Sequence, residues 1–129
     1  MPRKKSIGID LEQALFQVGQ RPPERDARLD RFLFIVCDTS RRHILELLAE
    51  PNENNPSLPN ERRSGEIAAT LGLSNATTSE HLRQLAEFQL VTSRKQRTVV
   101  YYRLADHFLV RTFLDFLHAL DRYYEQSSS

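Results

Sequence analysis

The sequence predicts a mainly α-helical fold with one small β-hairpin, and three observations carry that prediction. Apolar residues recur at helical spacing over much of the chain, from Leu29, Phe32, Leu33 and Val36 to Leu109, Phe113, Phe116, Leu117, Leu120 and Tyr124. One stretch departs from that period. Leu90 to Arg94 and Thr98 to Leu104 are rich in β-branched and aromatic residues and flank Lys95-Gln96-Arg97, which reads as two antiparallel strands and a tip. Just before them, Gly72 interrupts a short helical pattern and Ser74 opens another. Two helices about a tight turn, followed at once by a hairpin, spell a winged helix-turn-helix within Glu66 to Leu104.

Taken in order, residues 1 to 8 are basic through Arg3, Lys4 and Lys5 and are expected to form a solubilising tail. Asp10 with Gln13 resembles a capping box for a short helix carrying Leu11, Ala14, Leu15 and Val18 and ending near Gly19. Its apolar face must land on a dimer partner or on the domain's own flank. Residues 1–23 are thus read as a tail with a short helix, 24–125 as the domain, and 126–129 as a disordered tail.

Pro22-Pro23 presets the next helix, with Glu24 and Asp26 suiting its dipole. Leu29, Phe32, Leu33 and Val36, widened by Phe34 and Ile35, form a stripe too broad for one-sided burial, which points to a dimer seam. Asp38 or Thr39 starts the following helix, whose Ile44, Leu45, Leu47 and Leu48 build core, and Pro51 closes it. Pro51 to Arg63 holds three prolines, four asparagines and only Leu58 as an apolar residue, so a mobile surface loop is expected. Arg62 and Arg63 could touch a DNA backbone, although a plain insertion is the preferred reading.

Ser64 is expected to cap the first helix of the motif, Leu73 to plug the turn, and Ser74 to cap the second by accepting from Ala76 or Thr77. On that second helix Thr78, Leu82, Leu85 and Gln89 should face inward, leaving Ala76, Thr77, Glu80, Arg83, Gln84 and Glu87 outward. A first turn of Ser, Asn, Ala and Thr lets backbone approach a groove closely while offering hydroxyls and an amide. By itself this is equally an ordinary capped surface helix. The hairpin tips the balance: from Phe88 to Ala105 the chain carries Arg94, Lys95, Arg97 and Arg103 and no acid, a footprint for phosphate beside a candidate recognition helix. After it, Asp106 is expected to cap a last helix from His107 to about Glu125.

The run LGLSNATTSEHLRQLAEFQLVTSRKQRTVVYYRL resembles the winged-helix core of the ArsR/SmtB family of bacterial and archaeal transcriptional repressors. Cys37-Asp38-Thr39-Ser40-Arg41, followed after Arg42 by HILELL, resembles that family's Asp-Pro-Thr-Arg segment. The likeness spans roughly Leu29 to Tyr124. Glu80 stands where the family commonly has His, Gln89 where it commonly has Gly, and the loop before Ser64 is unusually long. The resemblance implies that the terminal helix pairs with its counterpart across a two-fold axis, so Leu109, Phe113, Phe116, Leu117, Leu120 and Tyr124 join Leu29, Phe32, Leu33 and Val36 of the broad first stripe as candidate dimer residues.

Many members of the family sense metals. Thiolate ligands are missing from the first helix of the motif, since Ser64-Gly65-Glu66-Ile67-Ala68-Ala69 has no Cys. On the terminal helix His107, His118 and Asp121 reproduce familiar intervals, but alignment on Val100 to Leu104 matches only Asp106 to a family ligand. Phe108, Ala119 and Arg122 fall at the other three positions. A solvated stripe with an Arg111–Asp115 pair is therefore preferred to a zinc site, and no metal or cofactor is expected. Cys37 lies at a helix entry where its thiol could become redox-sensitive, yet a small residue at a packed junction is the commoner account. His43 and His81 have no spacing that suggests ligation.

Composition bounds the remaining classes. At 129 residues and 40% hydrophobic, the chain suits one domain with a modest core. A net charge of +1 says little about partners, so nucleic-acid binding must rest on local charge. No apolar run approaches a membrane span, the start lacks a signal peptide's apolar run, and one cysteine fits a reducing compartment, so a soluble cytoplasmic protein is expected. Gly occurs at only four positions with no phosphate-loop spacing, there is no nucleophile elbow, and Asp38, Ser40 and His43 on one helical turn point apart; an enzyme is not expected.

The prediction is a homodimeric repressor binding an inverted-repeat operator in double-stranded DNA, with its effector open. Ser74, Asn75, Ala76, Thr77, Ser79, Glu80, Arg83 and Gln84 are the candidate groove residues; Arg94, Lys95 and Arg97 would hold phosphate or the minor groove. Glu80 would accept from a cytosine amino group or repel phosphate. The competing class is a winged helix used only for protein contacts, in which Arg94, Lys95 and Arg97 would be replaceable without consequence.

Overall fold

The computed structural model describes Gly19 and residues 21–128. The capping box at Asp10 and the helix expected from Leu11 to Val18, like the basic tail, lie outside the described residues. Helix α1 spans Pro23–Val36, α2 Thr39–Ala49, α3 Ser64–Leu71, α4 Asn75–Glu87 and α5 Phe108–Ser128. Strands β1 (Arg62–Arg63), β2 (Val91–Gln96) and β3 (Val99–Leu104) form one antiparallel sheet in the order β1-β3-β2. The chain divides after Phe34 into two units, so that most of α1 belongs to the first and all later elements to the second.

In the first unit, Leu29, Leu33 and Phe34 of α1 are exposed and Phe32 is half-buried. The second unit is built on α2. Asp38 accepts the Arg41 backbone N–H at 3.0 Å, which settles the helix start: Asp38 is the cap and Thr39 the first helical residue. Ile44, Leu45, Leu47 and Leu48 are all buried, and α2 packs against α3, α4 and β3. Val36, Ile67, Ala68, Leu82, Leu85, Leu90, Val91, Ala105, Val110 and Leu114 complete this core.

Between α2 and β1, asparagine side chains organise the loop. Asn52 Oδ1 accepts from the N–H groups of Asn54 and Asn55, Asn55 Oδ1 accepts from Ser57, and Asn60 Nδ2 donates to Leu47 O at 2.9 Å. Its last two residues are not loop at all. Arg62 pairs with Tyr102 and Arg63 with Tyr101, adding a third strand to the expected hairpin.

Four expected boundaries shift. The cap of α3 is Arg63, not Ser64, and its backbone N–H is taken by Glu66 Oε1 at 2.9 Å. The hairpin closes through Arg97-Thr98, with Gln96 opposite Val99, so Lys95 and Gln96 belong to β2 and not to the tip. The cap of α5 is His107 in place of Asp106, because its ring nitrogen Nδ1 accepts from Val110 N at 3.3 Å while Asp106 pairs with Arg111. Helix α5 also continues to Ser128, beyond Glu125.

Candidate nucleic-acid interface

The turn into α4 is built by left-over backbone groups finding partners. Gly72 takes φ +70°, a left-handed value glycine reaches without a side-chain penalty, and Leu73 N–H then returns to Ala68 O at 2.9 Å. Ser74 Oγ accepts from Thr77 N at 3.0 Å, and Thr78 Oγ1 donates back to Ser74 O at 2.9 Å. Thr78, Leu82 and Leu85 are buried, which leaves Asn75, Ala76, Thr77, Ser79, Glu80 and Arg83 exposed as the helical period requires.

Gln89 does not continue the inward face. Helix α4 ends before it, Gln89 is exposed at φ +63°, and the chain closes with Gln89 N–H on Ala86 O and Leu90 N–H on Leu85 O, both at 2.9 Å. This pair of bonds is the Schellman ending, whose left-handed residue is usually glycine.

On the outer side of α4, Arg83 is clamped by two acids. Its Nε and Nη2 donate to Glu80 at 3.0 and 2.5 Å, and its Nη1 to Glu87 at 2.8 Å. The bond from Arg83 holds the Glu80 carboxyl below the usual carboxylate range, and the same bonds raise Arg83. Gln84, expected to face out, is half-buried; its Oε1 accepts from the buried Arg41 at 2.7 Å.

Strand β2 packs against α4 and carries the cations outward. In an antiparallel pair directly opposed residues share a face, so Arg63, Tyr101 and Arg94 form one cross-strand row, with Arg103 two residues along on the same face. Lys95, opposite Val100, points to the other face, and Arg97 stands at the turn with φ +60°. The three expected cations are thus distributed over both faces and the tip. Arg63, which the sequence offered only as a loop residue, joins them through the two-residue strand β1.

Arg94 is not unpaired. Its guanidinium lies 4.8 Å over the Tyr101 ring, donates to Gln96, and meets Glu61 at 2.8 Å. Glu61, which the sequence did not single out, is itself lowered, first by that bond and also by the charge of Arg103.

A family model described as "Bacterial regulatory protein, arsR family" matches residues 38–93, from the α2 cap into β2. No curated protein matches the chain. Among solved structures, a possible transcriptional regulator for arsenical resistance is 32% identical, with 73% of this chain and 93% of that chain covered and a TM-score of 0.50. The chain belongs to the arsR family. HlyU from Vibrio cholerae N16961 is 28% identical, with 77% of this chain and 97% of that chain covered and a TM-score of 0.61. The homodimeric winged helix-turn-helix DNA-binding domain of Mb0332 from Mycobacterium bovis is 26% identical over 83% of this chain and 94% of its own, with a TM-score of 0.67. This arsR-family chain is accordingly a DNA-binding transcription regulator with the winged helix-turn-helix fold, and family and fold are those of regulators and not of enzymes.

The terminal helix and its cap carry the three side chains that the sequence weighed as metal ligands. His107 has both ring nitrogens engaged, Nδ1 with Val110 N–H and Nε2 with Gln89 O at 2.6 Å, while His118 and Asp121 are exposed. Arg111 bonds Asp106, not Asp115. Among the described residues no three His, Cys, Asp or Glu side chains gather where a metal ion could be held. Cys37 is exposed at the junction of α1 and α2, and no described helix is long and apolar enough to cross a membrane.

Proposed function

We propose that the protein acts as a cytoplasmic homodimer that binds an inverted-repeat operator and represses transcription by excluding polymerase. The observation that carries this is an exposed, Ser74-capped helix with small polar residues in its first turn, packed beside a hairpin that carries Arg94 and Lys95 on its two faces and Arg97 at its tip. Helix N-termini and small side chains approach phosphate and base edges, and guanidinium groups at a wing hold the backbone. Ser74 and Asn75 sit at the groove entry. Ala76, Thr77, Ser79, Glu80, Arg83 and Gln84 face the bases, with Glu80 and Arg83 reaching them as an already neutralised pair.

Dimerisation is supported by exposed apolar residues on α1 and α5. Leu109, Phe116, Leu120 and Tyr124 of α5 are exposed, Phe113 and Leu117 are half-buried, and Leu29 and Leu33 of α1 are exposed with Phe32 half-buried. Val36 is already within the core. Mb0332's domain, similar along most of this chain, is homodimeric.

Selection from random duplex DNA, followed by binding measured across salt concentrations, tests the proposal. An enriched inverted repeat is expected. Replacing Arg94, Lys95 and Arg97 together by Ala should lower affinity on every sequence and flatten the salt dependence by about one unit of slope for each phosphate no longer neutralised. Affinity and slope unchanged by that replacement would favour a winged helix used for protein contacts.

A further inference from the structure

Among the described residues Arg41 is the one buried charged side chain, 7% exposed, and its guanidinium lies under the recognition helix and not at the surface. Its Nε donates to Ile35 O at 2.5 Å and its Nη1 to Gln84 Oε1 at 2.7 Å, with His81 Nδ1 at 3.4 Å. Its backbone N–H is fixed on Asp38. A guanidinium offers donors only, so the Gln84 atom facing Arg41 must be the carbonyl oxygen of the carboxamide. The amide NH₂ is then turned away from Arg41. Gln84 follows Thr77 by seven residues, which is about 20° short of two full turns, so both lie on one stripe of α4.

We infer that Arg41 is a positioning residue for base recognition: by occupying Oε1 it fixes Gln84 as a hydrogen-bond donor toward DNA. This rests on the DNA-binding surface proposed above. An unconstrained glutamine suits adenine, accepting from N6 and donating to N7. With its oxygen held by Arg41, Gln84 leaves the adenine amino group without an acceptor. Edges that present acceptors, guanine N7 and O6 or thymine O4, satisfy it instead. Removing Arg41 frees the carboxamide to turn over, and the preference disappears without any change in a group that touches DNA.

The test compares wild type with Gln84→Ala, Gln84→Glu and Arg41→Met in selection from random duplex DNA, each variant checked by thermal unfolding. Wild type is expected to enrich guanine or thymine at one position of each half-site, and Gln84→Ala to make that position indifferent. Gln84→Glu retains an oxygen for Arg41 but presents only an acceptor, so the position should move to cytosine or adenine, whose edges donate. Arg41→Met should cut the discrimination against adenine by about tenfold or more. A preference that survives Gln84→Ala, or survives Arg41→Met in a folded protein, overturns the inference. If Arg41→Met does not fold, Gln84→Glu decides, and an unchanged preference there overturns it equally. Wild type that binds no duplex overturns the DNA-binding surface itself, a different and separable result.

Discussion

Among the described residues two besides glycine take left-handed backbone, Gln89 and Arg97, and the reason for tolerating each is different. A side chain at such a φ costs about 1 kcal/mol relative to glycine. Gln89 is exposed, and its bonds to Ala86 O and from the His107 ring are made by its backbone N–H and carbonyl and not by its side chain, so Gln89→Gly should stabilise the protein by up to about 1 kcal/mol and raise the Tm by a few degrees. DNA affinity should not change. Arg97→Gly relieves the same strain at the hairpin turn but removes a cation from the tip, so its melting temperature should rise while its DNA affinity falls. Thermal melts and binding isotherms on the two variants read these signs directly, and parallel behaviour of the pair would refute the assignment of Arg97 to phosphate. The sequence marked Gln89 as a departure from glycine, yet placed its side chain on the inward face of α4, because helical periodicity carries no signal for the residue at which the helix stops.

At the scale of elements, α2 and α4 were legible because their buried stripes are long enough for the period to show, in Ile44, Leu45, Leu47 and Leu48 and in Thr78, Leu82 and Leu85. The hairpin was legible for its β-branched and aromatic residues. Strand β1 was not, since Arg62–Arg63 has neither alternation nor β-propensity and becomes a strand through pairing with Tyr101 and Tyr102, far along the chain. That missed strand matters because it brings Glu61 to the wing, where the carboxylate holds Arg94 as a phosphate would. On the proposed DNA-binding surface, DNA would compete with Glu61 for this guanidinium. Glu61→Gln should therefore tighten binding several-fold on all sequences and steepen the salt dependence by up to about one unit, whereas Ser74→Ala should instead cost about 1 kcal/mol of stability by orphaning Thr77 N–H. Binding weakened by Glu61→Gln would mean that Glu61 holds Arg94 in place for DNA and does not compete with it.

At the scale of the whole molecule, three carboxylates tie junctions together: Asp38 at the start of α2, Glu61 at the wing and Glu66 at the start of α3. Each is lowered, Asp38 first by the Arg41 backbone N–H, Glu61 first by the Arg94 side chain, and Glu66 first by the Arg63 backbone N–H. A carboxyl whose folded pKa lies below its unfolded value binds fewer protons in the native state, so its stabilisation is full above the unfolded value, about 4, and is lost as pH falls through the folded one. Melting temperature should hold from neutrality down to about pH 5 and drop below about pH 4, with a shallower drop in Asp38→Asn. Assembly makes a sharper demand on the whole. One wing and one recognition helix read a single half-site, and two helices about 34 Å apart are needed to span an inverted repeat. The open apolar side of α5 is where a second copy would supply them. Phe116 is 55% exposed, so Phe116→Glu removes little from the chain's own core but buries a charge in any interface formed there. Light scattering should find this variant monomeric with an unchanged helical spectrum, and its affinity for a two-site operator should fall at least about a hundredfold while binding to one half-site persists. A variant that stays dimeric would place the seam elsewhere on the surface.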